Sequence, residues 1–178
     1  MSLVIADVSG KGMPASLFMV FARSVLRASM EHSSTPAEGL ARANRLIVEE
    51  ARAALFVTLF YARLNLQNGD LTYVNAGHNP PLLHRSATGE IVPLTRTGIA
   101  LGILDETAYE QRSANLGPGD VLLFYTDGLT EAFNGAREQF GLERVMEVME
   151  KHRGGSVAGL ISALEAAVDG FTRGAPAS

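Results

Sequence analysis

The chain has no cysteine, which excludes disulfides and thiolate metal sites. Positive charge is scarce: 15 Lys and Arg stand against 19 Asp and Glu, a net charge of −4. No basic footprint for nucleic acid results. Long apolar runs are also missing. The most apolar stretch, residues 13–25, is interrupted by Ser16, Arg23 and Ser24 and is too short to span a bilayer. Nothing resembles a signal peptide, so a cytoplasmic chain without membrane insertion is expected. Internal repeats, heptads and long low-complexity segments are absent. What remains is 178 residues with 47% apolar content, enough for one domain with a sizeable core.

The most informative stretch is Asp-Val-Ser-Gly-Lys-Gly at 7–12. It follows the apolar run 3–6 and precedes a helical pattern opening near Met13. A carboxylate therefore sits where a strand gives way to a glycine-rich turn. Gly10 and Gly12 allow a sharp turn and close approach to a bound group. A buried, unpaired Asp7 is costly, and a hard cation such as Mg²⁺ or Mn²⁺ is one partner that relieves the cost. A phosphate-binding P-loop pattern fails at two positions, where Ile5 and Gly12 stand. The plainer alternative is that Asp7 and Ser9 cap the turn before a helix.

Along the chain, residues 13–30 read as a helix, with Leu17, Val20, Phe21, Val25 and Ala28 at helical spacing. Its first half is apolar almost all round, which predicts deep packing. Arg23 and Arg27 read as a solvated face. Thr35-Pro36-Ala37-Glu38 forms a capping box, and a second helix runs to about Arg52 with Leu40, Ala43, Ile47 and Val48 on its apolar side. Residues 55–66 are rich in β-formers, and Asn68-Gly69 predicts a two-residue hairpin to a partner strand at 71–74. Residues 75–81 form a sharp, proline-locked loop. A second hairpin follows at 82–94, and 108–116 alternates as an exposed or edge strand. The apolar run 121–125 reads as a central strand ending in Thr126-Asp127-Gly128, with Glu131 one helical turn beyond. Two amphipathic helices, 142–152 and 157–171, complete the pattern, the second with Leu160, Ile161, Leu164 and Val168 as its apolar side. Helices flanking antiparallel strands indicate an α+β fold.

Asp7 and Asp127 each end an apolar strand beside glycine, a pattern suited to a hard-metal centre with oxygen ligands. Zinc is disfavoured, because His32, His78, His84 and His152 show no ligand spacing. A paired-metal site hydrolyses phosphate esters without a side-chain nucleophile, so a divalent-metal hydrolase is one reading of these residues.

Four motifs then occur in order: Asp-Val-Ser-Gly-Lys-Gly-Met-Pro-Ala at 7–15, Phe-Val-Thr-Leu-Phe-Tyr-Ala at 56–62, Asn-Ala-Gly-His-Asn-Pro-Pro-Leu-Leu at 75–83, and Leu-Phe-Tyr-Thr-Asp-Gly-Leu-Thr-Glu-Ala at 123–132. The Gly-Pro-Gly-Asp turn at 117–120 and Phe-Gly-Leu-Glu-Arg at 140–144 fit beside them. Across essentially its whole length the chain resembles the SpoIIE/RsbU branch of the metal-dependent (PPM, protein phosphatase 2C-like) serine/threonine phosphatases. The resemblance implies an antiparallel β-sandwich flanked by helices in α/β/β/α layers, with two Mn²⁺ or Mg²⁺ ions. It implies hydrolysis of phosphoserine or phosphothreonine on a partner protein, with a metal-bound water as nucleophile. That partner is typically an anti-sigma-factor antagonist of the STAS class, and sensor domains commonly lie upstream. Asp7 would be a bridging ligand, Val8 would contribute its backbone carbonyl, and Asp127 would be a second acidic ligand with Gly128 shaping its turn. The 75–81 loop is expected to have a structural role.

The chain departs from the family pattern at both ends. The family's upstream Gly-Asp-Tyr/Phe-Tyr-Asp-like strand and downstream Asp-Asp, which supply further ligands, have no counterpart here. Asp169 lies in helical sequence and does not replace them. Residues 1–178 are therefore expected to be a single domain fragment lacking its first and last metal-ligand strands, weak as a phosphatase. Exposed sheet edges favour a homodimer. Asp7 and Asp127 are expected to end adjacent central strands, within metal-bridging reach. A pseudo-phosphatase that binds a partner without chemistry is the alternative; a nucleotide switch is disfavoured by the failed P-loop.

Overall fold

The computed structural model describes residues 1–50 and 55–173. Its elements run β1 (Ser2–Val8), α1 (Met13–Glu31), α2 (Pro36–Glu50), β2 (Val57–Leu64), β3 (Asp70–Ala76), β4 (Leu82–His84), β5 (Ile91–Pro93), β6 (Arg112–Asn115), β7 (Val121–Leu123), α3 (Asp127–Thr130), α4 (Gly141–Lys151) and α5 (Val157–Thr172). The described chain forms two compact units. One holds Met1–Pro80 and Leu94–Leu116, the other Pro81–Pro93 and the described residues from Gly117 onward. All strand pairing within the two sheets is antiparallel, so the α+β expectation is met.

The first unit is a four-stranded sheet in the order β1-β2-β3-β6. β1 pairs with β2 over its whole length, from Ser2 opposite Arg63 to Val8 opposite Val57. The helices α1 and α2 cover this sheet through Ala22, Leu26, Leu40, Ala43 and Ile47, packed with Val57, Leu59, Tyr61, Val74 and Leu101. Leu40 is fully buried, and burial of such a side chain contributes about 1.5–3 kcal/mol. The capping box closes reciprocally: the Thr35 amide donates to Glu38 Oε2 and the Glu38 amide donates to Thr35 Oγ1, each at 3.2 Å. Both satisfy amides that the helix itself leaves orphaned. The residues 51–52 assigned to the end of this helix lie outside the described residues.

Two local expectations for this unit need correction. The start of α1 is not deeply packed, since Met13, Leu17 and Val20 are 76%, 65% and 64% exposed. Only Ala15, Ala22, Leu26 and Ser29 of this helix are buried, because an all-round apolar pattern does not say which face the sheet will cover. The turn at Asn68-Gly69 is longer than two residues: the Gly69 amide donates to Asn65 O, and the Asn65 amide donates to Asp70 O. Only Gly69 has positive φ, at 76°, whereas a two-residue type I′ turn needs it at both positions. A Cβ there would collide with the Leu116 carbonyl, so the glycine also serves the approach of the neighbouring strand.

The second unit has a three-stranded sheet in the order β5-β4-β7. Its core is Leu82, Tyr125, Phe140, Val145, Met149, Leu160 and Leu164. Phe140 meets Phe171 edge-on at 5.4 Å, and the Arg144 guanidinium lies 4.6 Å from the Phe171 ring centre. The α5 register is largely as expected, but Ile161 is 49% exposed. β7 is not a central strand. It lies at the sheet edge and its three residues are only half-buried. Apolar runs mark burial potential, whereas strand order depends on long-range pairing. The expected edge strand, β6, is indeed at the edge of its sheet.

Candidate metal centre

β1 is an outer strand of its sheet, so one row of its backbone groups faces an open edge. The hydrogen-bond alternation shows which row. Val57 exchanges both its backbone bonds with Leu101, at 2.9 and 2.8 Å. Its β1 partner Val8 is therefore in a non-bonded position, and antiparallel alternation turns the Val8 carbonyl away from β2. The next residue returns to the sheet. The Ser9 amide donates to Phe56 O, and the Phe56 amide donates to Ser9 Oγ, both at 2.9 Å. Ser9 thus ties β1 to β2 and does not cap α1, whose N-cap Gly12 makes no side-chain cap bond. The Asp7 side chain is exposed. It pays no burial cost, so the argument that it needs a partner fails, while its carboxylate is open to solvent and to a cation.

Opposite Asp7 stands Thr58. The Thr58 hydroxyl lies 3.4 Å from the Asp7 carbonyl oxygen and 3.0 Å from His78 Nδ1. His78 is 2% exposed. Its amide donates to Asn75 Oδ1 at 2.9 Å, and Asn75 Nδ2 donates to Leu94 O at 3.2 Å. The Asn75 amide also donates to Thr97 Oγ1, at 3.0 Å. Gly77, with φ 75°, bridges to Leu59. A Cβ there would stand 3.0 Å from the Ala100 amide nitrogen, so the loop 75–81 needs glycine at its tightest point. Its structural role is as expected, but its contact with the residue facing Asp7 was not legible. Asn44 was also missed. This fully buried side chain donates to Leu104 O and Asp105 O and accepts from the Gly102 amide, at 2.7, 3.0 and 2.9 Å.

In the second unit, β7 stops at Leu123 and Asp127 is the first residue of α3. The Glu131 amide donates to the Asp127 carbonyl at 2.7 Å, which closes the short helical turn. Asp127 is exposed. Burial, and then the Asp127 carboxylate, push the Tyr125 phenol above its ordinary range. A different carboxylate in this unit is structural. Asp120 receives the Ser86 amide at 2.8 Å, the Gly117 amide at 3.0 Å and Arg85 at 2.9 Å. Burial opposes its ionisation, but those two amides and the guanidinium together hold its carboxyl below the usual range.

The expectation that Asp7 and Asp127 end adjacent central strands is not met. Asp7 lies near the end of the edge strand β1 and Asp127 follows the edge strand β7, and the two strands belong to different sheets. Asp169 lies within α5, as its helical context required. Among the described residues, no group of three or more His, Asp or Glu side chains could hold a metal ion. Taken singly, Asp7, Val8 and Asp127 each offer an oxygen donor of the kind a hard divalent cation takes, and both carboxylates are exposed.

The antiparallel sheets and helices belong to a PP2C-type phosphatase fold. The chain superposes on the SiaA-PP2C domain of Pseudomonas aeruginosa with a TM-score of 0.85 at 20% identity, over 98% of this chain and 70% of that one. The catalytic domain of the serine/threonine phosphatase PstP in complex with two manganese ions gives a TM-score of 0.67 at 15% identity, over 96% of this chain and 82% of that one. The chain belongs to the SpoIIE family (Stage II sporulation protein E), whose model matches residues 1–177. It is 32% identical over 148 residues to phosphoserine phosphatase RsbU of Bacillus subtilis (strain 168), covering 82% of this chain. It spans only 44% of that protein's length.

Proposed function

We propose that this chain carries the hydrolytic region of a metal-dependent protein phosphatase acting on phosphoserine or phosphothreonine. The observation that carries the proposal is the end of β1, where an exposed Asp7 carboxylate is followed by a Val8 carbonyl turned to the open strand edge. Asp7 is proposed as the bridging ligand, Val8 as a carbonyl ligand and Asp127 as a second acidic ligand. When bound, a pair of Mn²⁺ or Mg²⁺ ions would supply Lewis acidity and charge neutralisation at a phosphate ester. The chain's own part is to present these oxygens, and the Ser9–Phe56 bonds hold the β1 end that presents two of them. Two carboxylates and one carbonyl fall short of the roughly six oxygens a hard cation takes. We propose that further ligands come from the parent protein, in keeping with the 44% of RsbU that this chain spans, and that the chain alone binds metal weakly.

The proposed substrate is a phosphorylated regulatory protein of the STAS-type anti-sigma-factor-antagonist class, in a cytoplasmic setting and under an upstream sensor domain. Support comes from the family resemblance and the RsbU relative. The open edge of β1 and the exposed Leu17 and Val20 support a homodimer. A pseudo-phosphatase is the second reading, favoured by the absence of a three-residue acidic or histidine cluster among the described residues. Hydrolysis of a phosphoserine peptide across a Mn²⁺ series separates the two. The phosphatase reading expects slow, Mn²⁺-dependent phosphate release that Asp127→Asn abolishes. Release at the level of the metal-free control throughout would favour the second reading.

A further inference from the structure

Thr58 and His78 belong to two of the sequence motifs, and the proposed ligand set uses neither. Thr58 sits directly opposite Asp7 in the β1–β2 pair. A strand position of this kind is served as well by valine as by threonine, so the hydroxyl calls for a reason. It has a single proton but two close neighbours, the Asp7 carbonyl at 3.4 Å and His78 Nδ1 at 3.0 Å. Both contacts are satisfied in one arrangement only: His78 Nδ1–H donates to Thr58 Oγ1, and the Thr58 hydroxyl donates to the Asp7 carbonyl. The ring is buried and belongs to a loop that Asn75 clamps: its side chain accepts from the His78 amide and donates to Leu94 O, and its own amide donates to Thr97 Oγ1.

We propose that Thr58, oriented by His78, is a positioning residue for the Asp7–Val8 end of β1, carrying the rigidity of the 75–81 loop to the two ligand oxygens at an otherwise open strand edge. The proposal rests on the reading of Asp7 as a metal ligand, and groups that orient metal ligands typically carry ~10–100-fold in metal affinity. Among the described residues β1 gains pairing from one side only, so no second strand holds its end. The hydroxyl adds a side-chain restraint to the backbone pairing of Asp7 with Thr58.

The test uses two readouts on the 178-residue chain. Without metal, the carbonyl carbon shift and amide exchange of Asp7 and Val8 are followed by NMR in the parent chain, Thr58→Val, Thr58→Ser and His78→Asn. Thr58→Val should move the Asp7 carbonyl resonance and speed exchange at the β1 end, and Thr58→Ser should restore both. With metal, Mn²⁺ affinity by calorimetry should fall about 10-fold in Thr58→Val and recover in Thr58→Ser. His78→Asn, which keeps a donor, should fall between them; if Thr58→Val does not fold, this variant and Thr58→Ser carry the comparison. Unchanged Asp7 and Val8 signals in Thr58→Val or in His78→Asn overturn the positioning role. If Asp7→Asn leaves Mn²⁺ affinity unchanged, the ligand reading fails instead, and the metal-free signals still decide whether Thr58 holds the strand end.

Discussion

Removing the Asn44 side chain should loosen the segment that follows Leu101. Asn44 lies on α2, is fully buried, and joins the helix to Gly102, Leu104 and Asp105 through three hydrogen bonds of 2.7–3.0 Å. Each such bond contributes about 0.5–1.5 kcal/mol net, which bounds the loss in Asn44→Ala at roughly 1.5–4.5 kcal/mol. Leu104 and Asp105 are exposed, so water can reach their carbonyls and the lower half of that range applies. Gly102 is partly covered, and its amide carries more of the cost. Urea unfolding followed by circular dichroism should show a lower midpoint with an unchanged slope. Amide exchange should accelerate at Gly102 before it does at Val57 or Leu59. A midpoint shift worth less than about 0.5 kcal/mol, the size of an ordinary surface substitution, would refute the view that this side chain anchors the segment.

Three further outcomes follow from the same physics. Asp120 has a depressed folded-state pKa, so its contribution is present above the unfolded carboxyl value and is lost as pH falls through the folded one. Asp120→Asn should therefore flatten the acid limb of a stability-against-pH profile, and an unchanged limb would contradict the assignment. Because burial is the larger cause of the Tyr125 shift and Asp127 the smaller, Asp127→Asn should lower the phenol's midpoint in an ultraviolet titration while leaving it above that of free tyrosine. Glu38→Ala opens one half of the capping box and should cost about 1 kcal/mol, measurable as a lower melting temperature.

Local chemistry was legible in the sequence, and long-range placement was not. The capping box at Thr35–Glu38 and the helix spans needed only neighbours three or four residues apart. The positions of β1 and β7 as edge strands depended on pairing across the chain, and an apolar run at 121–125 looks the same in the middle of a sheet as at its border. Asn44 sat unnoticed between Ala43 and Ile47 because its partners lie about sixty residues away. Asp7, Val8 and Asp127 were singled out through motif order and strand-end position. The premise that Asp7 is buried was wrong, since its side chain stands in solvent although its neighbours on the same strand are partly buried. His78 could be seen only as a loop residue until Thr58 was found beside it.

The central claim is that Asp7 and Asp127 are oxygen ligands for a divalent cation. Titration of Mn²⁺ into the chain, Asp7→Asn and Asp127→Asn, read by the loss of the free-ion electron paramagnetic resonance signal, tests it most directly. The account predicts weak but saturable binding that each substitution reduces by about 10-fold or more, in line with the need of hard cations for charged oxygen donors. Identical binding curves for all three proteins would contradict it.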